Sequence, residues 1–534
     1  MFGLEDFPWL TAMIAVPAVA GVAVWLLKPL RRIARPIGLV VSLAVLGGGV
    51  VMATGFDVGS ADQVQMSTTA SWIPALGISY DVGVNGMGLS LVLLAALLVP
   101  IVLVAAWNEV RAPERVAVTT SGGDSVEATG DAVDTEALES RQATFVGLIL
   151  ILLALMVLVF AARDLFLFYL AFEAMLIPVY FLIGVFGGPD RRAAAVKFLI
   201  YSLAGGLIML AGLVVVFAQT WGDAEGMRMD NLSDVFADNP TMGMWVFLSF
   251  FVAFAVKAPM VPVHTWLPDS AAQATPGTST LLVGVLDKVG TFGMIAILLP
   301  IFPGAAAQAA PVIMVLAVIS IIYGALLALG QNDLMRMIAF TSVSHFGFIV
   351  LGIFAGTQTA MVGSMLYMLA HGLSTAAMFL IAGFLIQRGY SADMRTYSGM
   401  QRVTPVLAGT FLFAGLSTLA LPGLSGFIPE YLVLIGSYEA HPAWGAAAVI
   451  GVVLAALYIL MAYQRVFTGP IPGPPAGRTL GLPARAGLSD LVAREKWLLV
   501  PLGLAIVFLG VYPAPVLDLL SGVADSFASI LGSA

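Results

Sequence analysis

Apolar residues in this chain gather into long unbroken runs, most of ~20 residues, the length a bilayer-spanning helix needs, separated by polar links. Fourteen such runs predict fourteen membrane helices. They lie near residues 7–27, 37–54, 85–107, 143–161, 164–186, 194–220, 243–268, 278–300, 308–329, 334–354, 358–386, 404–437, 443–464 and 497–513. The first is too long for a signal-peptide core and has no basic region before it, so it reads as a retained span. The runs at 243–268 and 404–437 are longer than one crossing requires and are interrupted by glycine and proline. The pattern therefore predicts an all-α polytopic membrane protein.

Composition agrees. The chain is 60% hydrophobic and 10% charged, with mean hydropathy +1.00, against about 25% charged residues in soluble domains. The net charge of -8 averages over loops and says little about partners. No cysteine is present, which excludes disulfides, thiolate zinc sites and cysteine-ligated iron–sulfur clusters within this chain. Four histidines leave little material for a metal site.

Basic residues set the expected orientation. Nineteen of the 23 lysines and arginines fall on one side if the spans alternate, from Lys28 after span 1 to Lys496 before span 14. Only Arg163 and Arg228 fall on the other, and Lys257 and Lys288 fall inside spans. The basic side is predicted to be cytoplasmic, with both termini outside. Residues 108–142 form a polar, acidic cytoplasmic insert with the composition of a disordered segment. Residues 468–496 form a Pro/Gly linker, and a short apolar tail follows span 14 within 497–534.

Ionisable groups stand inside the runs. Glu173 lies in FYLAFEAMLIPVY, Lys257 in AFAVKAPMVPVHTWLP, Asp287 and Lys288 in LVGVLDKVGTFG, His345 in TSVSHFGF, His371 in LAHGLSTAAMF and Glu430 in LPGLSGFIPEYL. A charge at mid-membrane costs ~2.5–3.5 kcal/mol on insertion scales. Such a group persists where it faces the bundle interior, pairs with another or meets water. One buried ion pair would serve as structural glue. Acids, bases and histidines strung over at least five spans point instead to a proton relay.

The prolines sharpen this. Pro259, Pro262 and Pro268 remove amide donors just after Lys257. Irregular backbone at membrane depth survives where protein buries it or where it lines a wet cavity. Interrupted helices in corresponding positions of two halves mark transport sites. Spans 7 and 12 are the interrupted pair, five spans apart. Because five is odd, spans 4–8 (143–300) and 9–13 (301–467) are predicted to be inverted repeats, with spans 1–3 (1–107) before them. A glutamate that approaches or leaves Lys257 would switch its proton affinity. Glu173 is the candidate.

The segments VKAPMVPVHTWLPD, LVGVLDKVGTFG, IAFTSVSHFGF, HGLSTAAMFL and LPGLSGFIPE resemble the subunit M family of bacterial proton-pumping NADH–quinone oxidoreductase (respiratory complex I, NDH-1). That family is similar to subunits L and N and to the large Mrp antiporter subunits. The resemblance covers most of spans 4–13. It implies relay roles for Glu173, Lys257, Lys288, His345, His371 and Glu430, with Glu430 at the periplasmic exit. Lysine at that last position is expected in L, N and Mrp homologues, so Glu430 points to M. The resemblance also implies that NADH, FMN, iron–sulfur clusters and quinone belong to partner subunits, with no cofactor in this chain. Subunits L and N are the expected neighbours, membrane lipid the surroundings and the bacterial inner membrane the location, with no nucleic acid as partner. This chain departs from the family pattern at Asp287, where an apolar residue is usual and where a carboxylate could hold Lys288 protonated. It departs also at Met335 and in the size of the 108–142 insert. His264, in HTWLP, stays open between a structural and a modulating role.

Two other functions fit the same residues. One is an Mrp-type cation/proton antiporter subunit, which Glu430 argues against. The other is a structural spacer of the membrane arm that pumps nothing. An ion channel fits poorly, as the sequence shows no selectivity-filter pattern.

Overall fold

The polar links do more than separate the apolar runs, because they supply the helix caps. Asp164 accepts hydrogen bonds from the Phe166 and Leu167 amides at 2.9 and 3.0 Å and opens the next helix. Asn85, Asn239, Thr275, Asp333 and Thr357 cap five others in the same way. Each satisfies an amide that the helix itself leaves free. In lipid no water would do so.

The computed structural model describes residues 7–108, 110, 135–233, 235–470 and 489–532. Among these, twelve helices are long and apolar enough to cross a membrane, or thirteen if Ala493–Val511 and Ala514–Ile530, bent by 67°, count as one more. The result is a largely helical, multi-pass membrane fold. The predicted span at 404–437 is two shorter helices, Pro405–Thr418 and Phe427–Ala440. The predicted span at 243–268 is Pro240–Lys257 followed by an irregular stretch and then Trp266–Gln273.

Burial is uneven, and the unevenness places the chemistry. Trp9–Leu26 and Ala34–Gly55 are 28% and 33% buried over their most apolar windows, so they form the periphery. Pro276–Ile301 and Gln358–Gly389 are 94% buried, and Leu334–Phe354 wholly so. These three helices carry Asp287, Lys288, His345 and His371. Glycines let them approach closely. A Cβ on Gly347 would lie 2.7 Å from the Ala317 carbonyl oxygen of Pro303–Leu329, a contact that only a small residue permits.

The all-α expectation needs one correction. Gln65–Ile73 and Ile78–Val84 form an antiparallel hairpin between the second and third long helices. Asp81 on its second strand faces Arg228 at 3.3 Å and Arg163 at 4.0 Å, and Arg163 also pairs with Asp230. These two arginines, the exceptions to the basic-side pattern, are thus held by acids at one end of the bundle. The tail also differs from expectation. Residues Ala514–Gly532 form a helix. Its buried Leu520, Val523, Ala524 and Ala528 recur at helical spacing. It packs against Gln358–Gly389, Gly86–Ala105 and Pro303–Leu329.

Residues 111–134 of the predicted insert and 471–488 of the linker lie outside the described residues. Thr135–Ala161 is one helix, so it takes residues 135–142 from the predicted insert.

Candidate proton-relay site

Lys257 is the last residue of its helix. The prolines beyond it cannot donate, and the backbone is satisfied by other means. Trp266 Nε1 donates to the Val256 carbonyl at 2.8 Å, and the Val261 amide donates to Ser320 Oγ at 3.0 Å. The break is thereby held shut by protein groups. The Lys257 ammonium is buried and has no hydrogen-bond partner. It lies over the Phe172 ring, 4.9 Å from its centre, with Phe198 at 5.9 Å. A desolvated cation–π contact contributes about 2 kcal/mol, comparable to much of the insertion cost of an ammonium. Glu173 and Asp287 lie within electrostatic reach and supply the opposing charge.

Glu173 sits in the helix that Asp164 caps, and it is only half-buried. Its carboxylate packs against Gly206 of Arg191–Gln219, filling the place a Cβ would need. Any larger residue at Gly206 would displace it.

Lys288 owes its position to a change of helix type. Leu282–Leu286 and Met294–Leu298 are π-helical and flank Lys288–Gly293. Such bulges free carbonyls from the α pattern. The Lys288 ammonium takes one of them, donating to Val283 O at 2.6 Å, and bonds His371 Nδ1 at 2.7 Å. It also lies 5.3 Å from the centre of the Phe346 ring.

From His371 the row continues. The His371 and His345 ring centres are 5.5 Å apart. Beside them is a cavity of ≈ 10 Å³, lined by both histidines, Tyr367, Ser374, Thr375 and Ser417 among others, about the room one water needs. His345 Nδ1 bonds Tyr367 Oη at 2.7 Å, and Tyr367 Oη donates to Glu430 Oε2 at 2.7 Å. Tyr458 Oη is 3.2 Å from His345 Nε2. Tyrosine has one hydroxyl proton. Since Tyr367 gives it to Glu430, His345 Nδ1 must carry the hydrogen that Tyr367 accepts. Tyr458 Oη lies within hydrogen-bond reach of Nε2.

The structure thus brings Lys288, His371, His345 and Glu430 into one buried row and Glu173 and Lys257 into another, with Asp287 within electrostatic reach of both lysines. His264 stands apart, against Tyr323 and Phe340. Near it Asp269 bonds Lys197 at 2.6 Å and also pairs with Arg336. Burial pushes the Asp269 carboxyl up, but the hydrogen bonds and charges of those two partners prevail and hold it below its ordinary value. Sequence reasoning missed Tyr367 and Tyr458. The one available signal was spacing: Tyr367 precedes His371 by four residues, on the same helix face.

Among the described residues, no three His, Cys, Asp or Glu side chains converge as metal ligands. Fold and buried charges together define an antiporter-like membrane subunit, and comparison with known proteins narrows the class. Residues 162–455 match the family described as NADH:quinone oxidoreductase/Mrp antiporter, TM. NADH-quinone oxidoreductase subunit M of Mycobacterium tuberculosis is 44% identical over 554 aligned positions, covering 99% of this chain and 95% of that protein. Subunit M of Escherichia coli K12 is 34% identical, covering 96% and 95%. A chain in respiratory complex I from Thermus thermophilus superposes with TM-score 0.81 at 28% identity, covering 98% of this chain and all of that one. A chain of the Mrp complex from Dietzia gives 0.82 at 21% identity, covering 99% of this chain and all of that one, a likeness of fold alone. The chain belongs to the NADH:quinone oxidoreductase/Mrp antiporter family, and within it to the subunit M group of NADH-quinone oxidoreductase.

Proposed function

We propose that this chain moves protons from the cytoplasm to the outer side as one pumping unit of the complex I membrane arm. The observation that carries the reading is a pair of hydrogen-bonded segments, Lys288–His371 and His345–Tyr367–Glu430, whose histidine rings lie 5.5 Å apart inside the three most buried helices and their neighbours. Protons load Lys257 and Lys288, reach His371 and His345, and leave by Glu430. Water in the small cavity bridges the two histidines. Asp287 and His264 border the path.

The architecture is read as fourteen spans: the twelve long helices, the interrupted pair Pro405–Thr418 and Phe427–Ala440, and Ala493–Val511. Spans 4–8 and 9–13 are inverted repeats whose discontinuous helices, 7 and 12, carry Lys257 and Glu430. Both termini then face outward. The grouping of Lys197, Asp269, Arg336, Arg388 and Glu495 at the end opposite Asp81 and Arg228 supports that alternation.

Moving one proton against the potential costs ~2.3 kcal/mol per 100 mV. The sequence has no nucleotide or redox motif to supply this. The drive comes from partner subunits that hold NADH, FMN, iron–sulfur clusters and quinone. It enters through the half-buried Glu173, on which a neighbouring subunit such as L or N would act. Glu430→Gln tests the path against the spacer reading. In inverted membrane vesicles with unchanged complex content, NADH-driven proton uptake should fall about tenfold, a barrier change of ~1.4 kcal/mol. Native uptake would favour the spacer.

A further inference from the structure

We propose that Asp287 is the proton-carrying link between Lys257 and Lys288, at the junction of the two halves of the row. The inference rests on the relay reading above and adds a residue at the gap between the two lysines. Lys257 has no hydrogen-bond partner, and Lys288 is engaged on its far side by Val283 and His371. Asp287, next to Lys288 in sequence, is fully buried, and neither carboxylate oxygen has a hydrogen-bond partner. A buried carboxylate left without partners is expensive. Here two lysines, Lys288 and Lys257, lie within its electrostatic reach.

The backbone explains the placement. The Asp287 amide closes a π turn onto Leu282 O at 3.1 Å, so Asp287 ends the bulge and Lys288 starts the α segment. One turn later Gly290 seats this helix on the end of Pro240–Lys257. A Cβ there would be 2.5 Å from Phe254 O and 2.6 Å from the Ala258 nitrogen. The Asp287 turn is thereby docked beside the terminus that carries Lys257. The other ionisable groups facing this junction are Glu173, through Lys257, and His371, through Lys288.

The step balances. Asp287 is hydrogen-bonded to neither lysine, so a water relays each hop. An N–H bond of the Lys257 ammonium breaks as an O–H bond forms on the Asp287 carboxylate, leaving a neutral amine and a neutral acid. That O–H bond then breaks as an N–H bond forms on the Lys288 amine, whose own proton has passed to His371 Nδ1. One proton has moved from Lys257 to His371, and Asp287 is a carboxylate again.

The test uses Asp287→Asn and Asp287→Glu in the assembled complex, with Lys257→Met beside them and complex content measured for each. Asn cannot carry the proton, and vesicle proton uptake and NADH-driven quinone reduction should both fall about a hundredfold. Glu should keep both within about threefold and raise the solvent deuterium isotope effect on quinone reduction, because a displaced carboxyl slows one hop. The Glu variant carries the test alone if the Asn variant does not accumulate. The proposal is overturned by native coupling in the Asn variant, by equal loss in both variants, or by an isotope effect unchanged in the Glu variant, which would mark a fixed counter-charge. If those results come with loss of function in Lys257→Met, the relay reading stands and only the role of Asp287 falls. If Lys257→Met is also native, the relay itself fails.

Discussion

Lys288→Met is expected to lower NADH-driven quinone reduction and proton uptake together, by about a hundredfold, the lower end of what a positioned acid–base group contributes. Methionine matches the length of the lysine but has no proton to give. It also leaves Val283 O and His371 Nδ1 without their buried partner. Each orphaned acceptor costs about 1–3 kcal/mol. The variant therefore loses stability as well as function, and the assay must be normalised to assembled complex. Lys288→Arg is a useful companion, because its charge cannot be released. A path that needs release of the proton should fail with Arg as it does with Met, whereas a site that needs only a positive charge should keep its activity with Arg. The measurement is the rate of quinone reduction per assembled complex with each residue in place.

Tyr367→Phe is the second large effect. Tyr367 hydroxyl is the sole atom joined by hydrogen bonds to both His345 and Glu430, at 2.7 Å on each side. Phenylalanine keeps the ring, which stacks on Phe348 with centres 6.1 Å apart, so packing survives. The bridge does not. Proton uptake in vesicles should fall about tenfold, a barrier change of ~1.4 kcal/mol. Complex content should stay near native. The Tyr458→Phe control removes a longer contact of 3.2 Å that lies off the line to Glu430, and its effect should be smaller. Equal losses in the two variants would place the role of Tyr367 in packing around His345 rather than in transfer.

Much of the fold was legible in the sequence because lipid is a demanding solvent. Backbone groups must be paired within the segment, so an apolar run of sufficient length has little choice but helix. For the same reason ionisable residues inside the runs announced the site. Lys257 was legible with its break, since three prolines cannot continue a helix. The π turns around Lys288 were not, because nothing in the residue types of LVGVLDKVGTFG separates a π turn from an α turn. Tyr367 carries no formal charge, so nothing in its run marked it. The hairpin escaped notice because its strands are short and lie between two strong helix signals. Only their pairing, with Ala70 opposite Tyr80 and Ser71 opposite Ser79, makes them strands. The helix Ala514–Gly532 was read as a tail because its apolar residues form one face and not a continuous run.

The central claim is that redox-driven transport runs through the buried row, and Lys257 is its most direct test. Its ammonium is buried, has no hydrogen-bond partner and sits where the helix breaks, so nothing in the packing replaces the proton it would carry. The measurement is simultaneous recording of NADH-driven quinone reduction and proton uptake in inverted vesicles carrying Lys257→Met at native complex content. The account predicts that both collapse together, because electron flow cannot proceed through a pump whose proton path is blocked. Oxidation and uptake both continuing at native rate and stoichiometry would contradict it and leave this chain a spacer of the membrane arm.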